Sequence, residues 1–217
     1  MYDAVLLDND GVIVGRTRYE VLQEAAFDAF ESVGVDPDPD DAERIAVAVS
    51  PAELRGVADR YGVEPAALIE ARDRAAHERQ RREVRAGRKD IYEDIAVLRD
   101  VDASLGIVSS NQQATVDFVV EHFGIGDLFG TAIGREPTPD SLRKKKPDSH
   151  YIDRALAALD ADTALFVGDN ESDVEAAHNA GIDSAFIRRP HRRDFDLDVT
   201  PTYDVSDLHE LVAICRG

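Results

Sequence analysis

Ala4-Val5-Leu6-Leu7-Asp8-Asn9-Asp10-Gly11-Val12 runs four apolar residues straight into two carboxylates and a glycine. An unbroken apolar run that ends in a polar turn reads as a buried strand. In an extended segment, side chains two apart point the same way, so Asp8 and Asp10 should project together from the strand's C-terminal end. Open parallel sheets place their sites at that end. Taken alone, the stretch is equally compatible with a strand followed by an ordinary Asx turn.

Outward from this strand, Thr17 to Val33 carries Val21, Leu22, Ala25, Ala26, Ala29, Phe30 and Val33 at helical spacing, and Gly34 ends it. Asp36-Pro37-Asp38-Pro39 is a loop by composition, and Ser50-Pro51 is a helix start with its cap. Further helices are expected at about 40–49, 51–61 and 64–86, with no convincing strand between 16 and 86. Such a block is too long for a loop. Strand-like runs then resume at Ser104-Leu105-Gly106-Ile107-Val108, weakly at Thr131-Ala132-Ile133-Gly134, and at Ala164-Leu165-Phe166-Val167-Gly168 and Ser184-Ala185-Phe186-Ile187, with helices between them. That alternation predicts βα units and a parallel sheet. The expected organisation is an α/β, Rossmann-like core from residues 1–15 and 87–217, with an all-helical domain, 16–86, inserted after the first strand.

Three further constellations follow predicted strands or a proline. Gly168-Asp169-Asn170-Glu171-Ser172-Asp173 puts Asp169 at a strand end and Asp173 one helical turn on; acidic residues also favour helix N-termini without any further role. Three or four carboxylates gathered at one sheet edge repel unless a hard cation joins them, and Mg²⁺ suits oxygen ligands. Ser109-Ser110-Asn111 offers hydroxyls and helix N-terminal amides to an anion, or simply a helix cap. In Arg143-Lys144-Lys145-Lys146-Pro147, the proline fixes the backbone behind Lys146, so that this lysine could neutralise a carboxylate and a phosphate oxygen.

Together these residues resemble the haloacid dehalogenase-like superfamily of phosphatases and phosphotransferases, whose four motifs occur in order: Asp8-Asn9-Asp10-Gly11, Ser109, Lys146-Pro147, and Gly168-Asp169 with Asp173. The insert resembles the helical cap of the phosphoglycolate phosphatase and β-phosphoglucomutase-like branch. One departure is Asp90-Ile91-Tyr92-Glu93-Asp94 where that branch often has a Pro-Gly-Val turn. The resemblance implies a phosphatase for a small phosphorylated metabolite, acting through an aspartyl-phosphate. Asp8 would be the nucleophile and Asp10 the acid and base, with Ser109 and Lys146 clamping phosphoryl oxygens. Mg²⁺ would be held by Asp8, the Asp10 backbone carbonyl and Asp169, with Asp173 in support. The alternatives are a β-phosphoglucomutase-like phosphomutase with the same residues, and a catalytically silent binding protein of the same fold. The insert 16–86 has no lysine, which removes a Schiff base from that block, and Asp10 can supply the proton that an ester's leaving oxygen needs. Oxygen–phosphorus cleavage is therefore the expected chemistry.

Composition bounds the partners. The 217 residues include 44 acidic and 25 basic side chains, a formal net charge of -19, which argues against nucleic acid. No apolar run of membrane-spanning length occurs, and Met1-Tyr2-Asp3 lacks the features of a signal peptide, so a soluble, cytoplasmic protein is expected; monomer and homodimer are both left open. Cys215 has no partner for an internal disulfide. From Arg72 to Lys89, eight basic residues face three acidic ones, which would attract an anion or, by preference, form i to i+4 pairs on a solvated helix face. Lysine is confined to Lys89, Lys144, Lys145 and Lys146, against 21 arginines, a pattern similar to halophilic cytosolic proteins. In molar salt the Debye length falls to about 3 Å and the surface carboxylates stop repelling one another. The melting temperature should therefore be higher in molar KCl than in dilute buffer; calorimetry in the two buffers checks this, and equal values would remove the halophilic expectation.

Overall fold

The computed structural model describes residues 2–216. The chain forms two compact units, one from Met1–Gly15, Asp90–Gly134 and Lys144–Gly217, the other from Arg16–Lys89 and Arg135–Arg143.

The first unit is built on strands β1 (Ala4–Leu7), β2 (Ser104–Gln112), β3 (Thr131–Arg135, all but its last residue), β4 (Ala164–Gly168), β5 (Asp183–Ile187) and β6 (Tyr203–Val205). Their order is β3-β2-β1-β4-β5-β6, with parallel pairing of β1 to β2 and β4, β4 to β5, and β5 to β6. Both central strands are buried along their whole length, as a sheet covered on both faces requires. The two-residue period then sorts their side chains. Val5, Leu7, Leu165 and Val167 join Val116 and Val119 of helix Gln113–Phe123 and Leu208 and Leu211 of helix Leu208–Arg216. Leu6 and Phe166 face the other way, to Tyr151 and Ile152 of helix His150–Leu159 and Ala176 and Ala177 of helix Glu171–Ala180. The result is an α/β Rossmann-like core. Strand β6 has only three residues and no extended apolar run, so periodicity did not reveal it.

The second unit contains α1 (Tyr19–Ser32), α2 (Pro39–Ala46), α3 (Pro51–Tyr61) and α4 (Pro65–Arg85). Helix α3 starts with a reciprocal cap: Glu53 N–H donates to Ser50 Oγ (3.2 Å) and Ser50 N–H to the Glu53 carboxylate (2.8 Å). It ends at Gly62 in the left-handed region, φ 65°. Phe30, Ile45, Leu54, Val57, Leu68 and Ile69 form its core. Helix α2 stops at Ala46, short of the expected 49.

Two stretches that the sequence pattern assigned to the core side, 87–89 and 135–143, instead cluster with the helices. Polar contacts explain both. The buried Lys89 ammonium donates to Gln80 Oε1 (2.8 Å) and Thr17 Oγ1 (3.0 Å), while Arg135, 1% exposed, reaches Asp73 at 2.6 Å and Leu142 enters the helical core.

The expectation of solvated i to i+4 pairs along α4 is also corrected. Arg79 pairs with Asp28 and Glu24 of α1, and Arg72, next to Asp73, donates to the carbonyls of Ile45 and Ala46. Glu83 receives Arg18 and Arg88, and only Arg81–Glu78 is a local i, i+3 pair among these. Asp73→Ala would leave Arg72 and Arg135 buried beside each other without the carboxylate between them. Breaking a buried pair costs about 3–5 kcal/mol, so urea unfolding of this variant should show a loss of that size.

Candidate active site

In this strand order the connections diverge from β1 and β4, the switch point where open α/β sheets form a crevice at the strand ends. Asp8 directly follows β1 and Asp169 directly follows β4. Asp173 lies in the first turn of the helix after β4. One carboxylate oxygen from each of Asp8, Asp169 and Asp173 can be chosen so that all three lie within 4.8 Å of one another, and all three residues are buried.

Glycines permit this crowding. Gly11 has φ +89°, and a Cβ there would lie 2.4 Å from Asp169 Oδ2. A Cβ on Gly168 would come 2.1 Å from Asp173 Cβ. Neither position admits any other residue without moving a carboxylate.

Lys146 lies among these acids. Its Nζ is 2.8 Å from Asp8 Oδ1 and 2.6 Å from Asp173 Oδ1, with its side chain 5% exposed. The second oxygen of Asp173 accepts the Asn170 N–H at 3.0 Å. Burial pushes the Asp8 carboxyl up to about 7, opposed by Lys146 and assisted by Asp173, Asp169 and Asp10. Burial also raises Asp173, again opposed by Lys146. For Lys146, burial disfavours the charge, but Asp173 and Asp8 outweigh it and hold the ammonium above the ordinary lysine range.

The Asp10 side chain takes a different environment. Its Oδ2 accepts from Nδ2 of Asn111 (2.9 Å) and Nδ2 of Asn9 (3.1 Å). Ser109, buried inside β2 on the strand beside β1, accepts the Asn111 N–H at 3.1 Å. Asn111, read from sequence only as part of an anion-binding or capping run, is thus a support of Asp10.

The sequence reading missed a second group. After β5 the run Arg188-Arg189-Pro190-His191-Arg192-Arg193 turns back to the acids: His191 Nε2 is 2.6 Å from Asp169 Oδ2, and Arg192 Nε donates to the Asp169 carbonyl at 2.8 Å. Its signal was a dense basic run after a strand in an acidic chain.

An oxygen-only donor set suits a hard cation. Asp8, Asp10, Asp169 and Asp173 against Lys146 and Arg192 leave a formal excess of two negative charges, the charge of one divalent ion. The residues present therefore fit a divalent metal.

The chain matches the haloacid dehalogenase-like hydrolases over residues 5–187 and belongs to that family. Pyrophosphatase PpaX of Listeria welshimeri is 32% identical over 133 residues, a match that spans 58% of this chain and 58% of that protein. A phosphoglycolate phosphatase of Rhodobacter capsulatus is 29% identical over 117 residues, covering 54% of this chain and 50% of the relative. The chain thus aligns with 58% and 50% of the length of these two relatives. Among solved structures, CbbY from Rhodobacter sphaeroides in complex with phosphate superposes with a TM-score of 0.71 at 20% identity, covering 97% of this chain and 96% of that one. A haloacid dehalogenase-superfamily hydrolase, subfamily IA, from Geobacter sulfurreducens gives 0.58 at 18% identity, covering 99% and 96%. At these identities the likeness is one of fold.

The raised Asp8 pKa has a consequence for stability. Between the ordinary value of 3.8 and about 7, the folded protein keeps a proton that the unfolded chain releases, so stability falls as pH rises through that window. Above it, the ionised carboxylate is a full burden on the metal-free fold. In EDTA, Asp8→Asn should melt above the wild type at pH 8, and the gap should close towards pH 4; a variant that melts lower at pH 8 would contradict the assignment.

Proposed function

We propose that this protein is a Mg²⁺-dependent phosphatase that hydrolyses a small phosphorylated metabolite, phosphoglycolate phosphatase-like, through an aspartyl-phosphate on Asp8. The observation that carries the reading is the Lys146 ammonium held between Asp8 and Asp173 at 2.8 and 2.6 Å, beside Asp169 at the switch point of the sheet.

Asp8 is the nucleophile: it directly follows β1, and the lysine at its oxygen keeps a carboxylate available in a buried place. Asp10 protonates the leaving oxygen and then takes the proton of the attacking water; Asn9 and Asn111 fix its orientation. Ser109 and Lys146 hold the transferring phosphoryl oxygens, and Asp173 anchors Lys146. Asp8, the Asp10 carbonyl and Asp169 would hold the Mg²⁺, with Asp173 in support; a bound Mg²⁺ neutralises phosphoryl charge and orients the group. The helical unit serves as the cap, joined by chain continuity to the segment after Asp8 and, through Arg135–Arg143, to the loop that carries Lys146. The names of the relatives nominate pyrophosphate and phosphoglycolate as first compounds to assay.

Phosphate release from a panel of phosphorylated metabolites should require Mg²⁺, stop with EDTA and return on adding Mg²⁺, with Ca²⁺ a poor substitute. Asp8→Asn should abolish turnover with the fold retained. Asp10→Asn should lose about 10²- to 10⁴-fold in rate, most for esters with poor leaving groups. Activity that survives exhaustive chelation, or in Asp8→Asn, would sink the mechanism.

A further inference from the structure

The basic run after β5 does not correspond to any of the four motifs, yet it closes on one of the acids. Arg189 pins the run in place: its guanidinium makes two contacts to Asp94 (2.7 and 2.9 Å), donates to the Val12 carbonyl (2.8 Å), and stacks 3.9 Å from the Tyr92 ring centroid. The next residues form a short 3₁₀ turn, Pro190–Arg192. Arg192 anchors its far end, donating to the Asp169 carbonyl (2.8 Å) and to Asn170 Oδ1 (3.0 Å). His191, held between two anchored arginines, puts Nε2 at 2.6 Å from Asp169 Oδ2. An ionised carboxylate can only accept, so Nε2 carries the hydrogen and donates it. On the other side Gly11 leaves no room for a side chain against the same oxygen. Asp169 is thereby fixed through its backbone carbonyl and through one carboxylate oxygen.

We propose that His191 is a positioning residue that holds Asp169 as a one-oxygen ligand for the divalent cation. With Oδ2 engaged by the imidazole, the carboxylate is hindered from chelating through both oxygens. Mg²⁺ takes a strict octahedron of single oxygens, whereas Ca²⁺ accepts more ligands and two-oxygen carboxylates. Hydrogen-bonding partners behind a metal ligand govern affinity by about 10- to 100-fold. His191 therefore favours the smaller ion and resists the larger. This inference rests on the metal reading above.

The test measures binding to the substrate-free protein. Mn²⁺ is titrated by electron paramagnetic resonance of the free ion, and Mg²⁺ and Ca²⁺ by competition against it, with Asp169→Asn as the reference for a lost ligand. His191→Ala should bind Mn²⁺ and Mg²⁺ about 10- to 100-fold more weakly, with a smaller loss for Ca²⁺. His191→Gln, whose amide can donate to the same oxygen, should recover most of the affinity, which a merely structural role would not predict. Thermal unfolding verifies each variant; if His191→Ala does not fold, His191→Phe keeps the ring volume without the N–H and makes the same comparison. Unchanged or tighter Mn²⁺ binding in the variant without the donor would overturn the proposal while leaving the metal reading intact. Absence of Mn²⁺ binding in the wild type would overturn both.

Discussion

The ammonium of Lys146, in contact with Asp8 and Asp173 at once, is the interaction on which the arrangement of the strand ends depends. Buried ions are stable only where partners and hydrogen bonds replace water. Here the carboxylates sit too close together to be tolerated without a cation, and the lysine is too buried to be tolerated without carboxylates. Burial drives the Asp8 proton affinity up, and the lysine pulls it back. The three residues come from a strand end, a loop and a helix start, so the ion cluster also joins elements distant in sequence.

Close approach of backbone makes that cluster possible. Gly11 gives way to Asp169, and Gly168 to Asp173, at separations that no Cβ would survive. Both glycines border the two strands between which the sheet reverses its order, so the parallel topology and the absence of two side chains together create the space. Asp8 and Asp169 are held directly after buried strands and Asp173 in the first turn of a helix, so their charges are placed by regular structure and not by loops.

Cations elsewhere in this acidic chain are divided by chemistry. Arginine provides the forked pairs, as between Arg79 and Asp28, Arg188 and Asp204, or Arg189 and Asp94, where a planar guanidinium meets both carboxylate oxygens. Two of the four lysines have buried side chains: Lys146 among the acids, and Lys89 against Gln80 and Thr17. A compact ammonium fits between several oxygens that are not coplanar, which a fork does not. On α4, Arg79 reaches across to Glu24 and Asp28 of α1, while the Glu83 carboxylate of the same helix receives Arg18 and Arg88 from outside it.

The α/β core and the helical block were legible in sequence because both rest on local periodicity: four apolar residues before Asp8, four and a glycine before Asp169, and 3.6-residue spacing through Phe30. The acids at the strand ends were legible because the apolar runs stop at them, Asp8 directly after β1 and Asp169 directly after β4; strand alternation did not extend to Asp10, which lies beyond β1 and turns to Asn9 and Asn111. The short β6 was not, because three residues carry too little pattern. The docking of 135–143 on the helices was not legible either, because it depends on one buried arginine meeting Asp73, sixty-two positions away. Nor was the support of Asp10 by Asn111, across 101 positions, or of Asp169 by His191. The sequence alone determined which elements form and which acids stand at their ends. Tertiary structure decided the partners of each acid, because strand order is set by how whole apolar faces are buried, and His191 can reach Asp169 only from a loop whose strand, β5, pairs with β4.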